Sequence, residues 1–87
     1  MLKVILQYTD CLQDGKNVFS YLAAKGVAIL KTANHFINPK VHILVPDLQV
    51  LNAMVCDLNR RCNYEVRVVK VKKIKVGKHT NEAIRNV

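Results

Sequence analysis

Apolar residues in this chain recur with two different periods in turn, and that alternation constrains the fold more than any other feature. Leu2 to Tyr8 (LKVILQY) repeats every second residue, with Val4, Leu6 and Tyr8 on one face and Ile5 on the other, as in a central strand. Thr9 to Gly15 is polar, and Asp14-Gly15 supplies a sharp bend. From Lys16 the spacing becomes three and four: Phe19, Ala23, Gly26, Leu30, Ala33 and Ile37, widened by Val18, Leu22 and Ile29. This predicts one long amphipathic helix over 16–36. Asn38-Pro39-Lys40 ends it, because proline disfavours helix in the residue before it. Val41 to Val45 reads as a second strand. Asp47 is a plausible N-cap for a second helix, whose buried stripe is Leu48, Leu51, Met54, Val55, Leu58 and Cys62, with Asn63 as the stop. Tyr64 to Val76 is rich in β-branched residues and ends at Gly77. Its alternation slips at Val68-Val69, which fits either a bulge or a lysine-bearing arm leaving the sheet.

The order β-α-β-α-β implies an α/β two-layer sandwich with two helices on one sheet, its crossovers right-handed. The competing order breaks the helix at Gly26 and makes 27–37 a strand, giving a ferredoxin-like βαββαβ. That strand alternates poorly, since Lys31 and His35 fall on the face of Val27 and Ile29, so the single helix is preferred. With 87 residues the chain allows one domain, placed at 1–77, and a short tail at 78–87. Half of it is hydrophobic (51%) and 23% is charged, which is a globular balance. Leu30 and Leu58 are both expected in the core.

The charge is uneven. Residues 1–58 hold five lysines against Asp10, Asp14, Asp47 and Asp57. Residues 59–87 hold Arg60, Arg61, Arg67, Lys70, Lys72, Lys73, Lys75, Lys78 and Arg85 against Glu65 and Glu82. Such a block repels itself in a compact state unless an anion relieves it. It reads as a polyanion-binding surface, with a soluble basic edge that deters sheet pairing as the plainer alternative.

Catalytic chemistry is hard to place. No two carboxylates pair at general acid/base spacing. Cys11, Cys56 and Cys62 lack metal-ligand spacing, and no histidine lies suitably near them. They are expected to be reduced thiols without metal or cofactor, in a cytoplasmic protein. His35, His42 and His79 are scattered and read as packing or surface residues. The longest apolar runs fall short of the ~18–20 residues of a membrane span, and no signal-peptide pattern opens the chain. Gly15-Lys16 opens a helix after a strand. It lacks a phosphate-loop pattern, but backbone N–H groups with Lys16 could hold an anion there. No aromatic stacking platform is visible, so backbone contact is expected over sequence readout.

The layout resembles the Alba family of small nucleic-acid-binding proteins over about residues 15–77. The resemblance rests on Gly15-Lys16-Asn17-Val18 at a helix start, Val41–Val45 as second strand, and Ile74-Lys75-Val76-Gly77. Only Lys16 matches the family's two adjacent loop lysines, with Asn17 in the second place, and Pro46-Asp47 replaces its glycine-arginine segment. Too few residues follow Gly77 for its fourth strand. The resemblance implies a dimeric, sequence-tolerant binder.

The expected function is thus a non-enzymatic domain that binds DNA or RNA by phosphate contact through Lys16, Arg60, Arg61, Arg67, Lys70, Lys72, Lys73, Lys75 and Lys78. The alternative is a small modulator of viral type that binds an acidic surface or a nucleic-acid site of a partner protein. A third reading, a thiol enzyme, would use Cys11 after the first strand.

Overall fold

Burial alternates along both β1 (Leu2–Gln7) and β3 (Lys40–Val45). Leu2, Val4 and Leu6 are buried, as are Val41, Ile43 and Val45, while the residues between them point to the opposite face. The computed structural model describes residues 1–9, 11–33 and 38–74. The other elements are α1 (Leu12–Ala24), β2 (Ala28–Ala33), α2 (Leu48–Arg61) and β4 (Arg67–Lys73). The strands form one sheet in the order β2-β3-β1-β4, with every neighbouring pair antiparallel. Both helices pack on one face. Val18, Tyr21 and Leu22 of α1 and Leu51, Met54 and Leu58 of α2 join the buried strand residues, Tyr8 and Val66 in one core. The molecule is the expected two-layer α/β sandwich, and β1 is a central strand as its two-sided apolar pattern predicts.

The single helix over 16–36 is not formed, and the element order is βαββαβ. The helix begins earlier, at Leu12, so Asp14-Gly15 is a helical turn and not a bend. It ends at Ala24 because Gly26 adopts φ 67°, a left-handed conformation that closes a helix. Val27 N–H donates to the Leu22 carbonyl at 3.0 Å and Gly26 N–H to the Ala23 carbonyl at 3.1 Å. This is the Schellman pattern, and it satisfies the last carbonyls of α1.

A register shift lies between Ile29 and Lys31 in the pairing of β2 with β3. Leu30 is the extra residue of that bulge, so Ile29 and Lys31 fall on opposite faces. Leu30 is 47% exposed and not in the core. Leu58 is fully buried, as expected. In β4 the shift falls between the partners of Ile5 and Leu6, which are Lys70 and Val68. Val69 is the inserted residue, and the bulge is the correct one of the two explanations for the slipped alternation. At α2, Asp47 caps as predicted, its Oδ1 accepting from Val50 N–H at 2.9 Å. Leu48, expected in the stripe, is exposed at the first turn.

The two helices cover only the central strands. On the helix-side face of the edge strands, Ile29, Val68 and Val71 remain partly exposed. The expected tail at 78–87 lies outside the described residues.

Candidate functional site

The sheet's second face is free of helices, and pairing register decides what stands on it. Directly paired residues of antiparallel strands share a face. From Lys3↔Leu44, Ile5↔His42 and Gln7↔Lys40, the open face of β1 and β3 carries Lys3, Ile5, Gln7, Lys40, His42 and Leu44. Pairing with β4 adds Arg67 opposite Gln7, Lys70 opposite Ile5 and Lys72 opposite Lys3. Pairing with β2 adds Lys31 opposite His42, Ala28 and Ala33. Six permanent cations thus come together from all four strands: Lys3, Lys31, Lys40, Arg67, Lys70 and Lys72. Both bulges serve this arrangement. Without Val69 as an inserted residue, Arg67 could not share a face with Lys70 and Lys72, and without Leu30, Lys31 could not share one with Ala28.

Little negative charge answers them. Of the described carboxylates, Asp14, Asp47 and Asp57 belong to the helices and Glu65 precedes β4. The salt bridges among the described residues are Arg60–Asp57, at 3.7 Å, and Arg67–Glu65. The five lysines of the open face therefore have no ion-pair partner among the described residues. The His42 imidazole at the centre of the face is held below its ordinary pKa, first by burial and then by Lys31, Lys3 and Lys40.

The other expected site residues lie elsewhere. Lys73 pairs with Leu2 and so stands on the helix side of β4. Lys16 is exposed in the second turn of α1, away from the helix start. Gly15 N–H donates to the Cys11 carbonyl at 2.9 Å, so that amide is used by the helix and is not free for an anion. Arg60 pairs with Asp57. The Arg61 guanidinium sits 5.2 Å from the centre of the Tyr21 ring, and its carbonyl accepts from Asn17 Nδ2 at 2.9 Å. Tyr21 in turn donates its hydroxyl to Asp57 at 2.9 Å. Lys75 and Lys78 lie outside the described residues. The linear block is therefore split between two faces. Lys3, Lys31, Lys40 and His42 join the open face from parts of the chain that look charge-balanced in sequence.

Two polar side chains, one of them buried, aim β4 at this face. Asp14, fully buried in α1, accepts from Asn63 N–H at 2.8 Å and Tyr64 N–H at 2.9 Å. Asn59 accepts from Val66 N–H at 2.7 Å and donates to the Val66 carbonyl at 3.2 Å. These contacts fix the 62–66 connection and hence where Arg67 begins its strand.

No thiol chemistry is favoured at Cys62. Burial, then Asp14 and then Cys11 push its pKa up, which keeps it in the weakly nucleophilic protonated form. The three cysteines are free, and no group of three His, Cys, Asp or Glu side chains among the described residues gathers as a metal site would. No described helix is long and apolar enough to cross a membrane.

No family model, curated protein or solved structure matches this chain.

Proposed function

We propose that the chain is a non-enzymatic, sequence-tolerant nucleic-acid-binding domain whose phosphate-contacting surface is the open sheet face. The observation that carries this reading is the convergence of Lys3, Lys31, Lys40, Arg67, Lys70 and Lys72 on one uncovered surface, with Glu65 the only described carboxylate at its rim. Edge protection does not account for it. Lysines on edge strands deter sheet-to-sheet pairing, yet Lys3 and Lys40 stand on the two central strands. The described part of the face has no Phe, Tyr or Trp side chain, so it offers bases no extended stacking platform and phosphates supply most of the binding energy.

The test is a fluorescence-anisotropy titration of unrelated duplex and single-stranded sequences at several salt concentrations. Each neutralised phosphate on duplex DNA contributes about 0.9 to the slope of log affinity against log salt. With four to six of the cations engaged together, a slope of roughly −3 to −5 is expected, nearly the same for every sequence. Absence of binding at low salt would overturn the reading and put an acidic protein partner in its place.

A further inference from the structure

We propose that polyanion binding to the open sheet face is coupled to protonation of His42, which joins the contact surface as an imidazolium; this rests on the reading just given. The geometry is specific. His42 occupies the middle of central strand β3, opposite Ile5 of β1 and Lys31 of β2. Lys40 and Leu44 flank it on its own strand, and Lys3 and Gln7 flank Ile5 on β1. Neither helix reaches this face. The charged groups that face the ring are thus Lys3, Lys31 and Lys40, all cationic, and no described carboxylate stands among them.

In the free protein this setting disfavours a further positive charge, in agreement with the lowered pKa of His42. A phosphate chain laid over the lysines reverses the local field, and the ring then gains by taking a proton. The sign follows. The bound-state pKa lies above the free-state value, so affinity rises as pH falls through the bound value and levels off below the free value. Linkage is reciprocal, so the bound strand must raise the His42 pKa by the same factor.

The probe is a thymidine oligonucleotide, whose bases do not titrate near neutrality. Its affinity at constant low ionic strength should be tighter at about pH 5.5 than at about pH 7.5, by roughly tenfold for each pKa unit regained on binding. His42→Gln should bind more weakly than the wild type at the lower pH and lose most of the pH dependence. NMR titration of the His42 imidazole in the wild type, with and without the oligonucleotide, reads the same coupling without any substitution. Its midpoint should lie below the ordinary histidine value in the free protein and move up in the complex. Binding that is present but independent of pH, an unmoved His42 midpoint, or a pH dependence kept in His42→Gln would overturn the coupling alone. No binding at either pH would overturn the underlying reading together with it.

Discussion

Asp14 ties the connection that leads into β4 to helix α1. Its carboxylate is buried and tied to two backbone N–H groups of the 62–66 connection. Hydrogen bonds to a charged group contribute about 1.5–3 kcal/mol each in such a setting, and the donors here lie in residues that water can partly reach. Asp14→Ala is therefore expected to cost about 2–3 kcal/mol in urea unfolding; a loss below about 0.5 kcal/mol would show the connection to be held by other contacts. Leu58 and Leu30 make a second pair of tests at this scale. Leu58→Ala should cost about 2–5 kcal/mol, because it leaves a cavity in the core. Leu30→Ala should stay within about 0.5 kcal/mol, because Leu30 is a bulge residue with about half its surface in water. Comparable losses at both positions would contradict the placement of β2.

At the scale of elements, the end of α1 is set by Gly26. A side chain at φ 67° is strained, although the space around the position is open. Gly26→Ala should thus cost about 1–2 kcal/mol, read from the shift in denaturation midpoint. A neutral effect would mean that the helix can continue through the position. Why this break is obscured in the sequence is also physical. The bulge at Leu30 inserts one residue into β2, which destroys the strand's period of two and leaves spacings that imitate a helix. The bulge in β4 is easier to read, because the valines on either side of Val69 show the alternation before and after the slip. Strands β1 and β3 and helix α2 are legible because their periods are unbroken and Asp47 marks a start.

For the whole molecule, the same contrast governs the site. Arg67, Lys70 and Lys72 are visible in sequence as part of a basic run. Lys3, Lys31 and Lys40 are isolated cations there, and only antiparallel register brings them beside that run. Proximity in sequence also misleads, since Lys73 follows Lys72 directly yet lies on the other face, and Arg60 and Arg61 belong to the helical layer. The central claim is that location on the open face, and not net charge, determines binding. It is tested most directly by comparing two variants that lose the same charge. One is Lys3→Ala with Lys40→Ala and Lys70→Ala, from the open face; the other is Lys16→Ala with Arg60→Ala and Lys73→Ala, from outside it. The quantity measured is the salt dependence of binding to one duplex. The open-face variant should lose about 2–3 units of the slope, near 0.9 per phosphate contact removed, while the other keeps a slope within about one unit of the wild type. Equal losses in the two variants, or a greater loss in the second, would contradict the account.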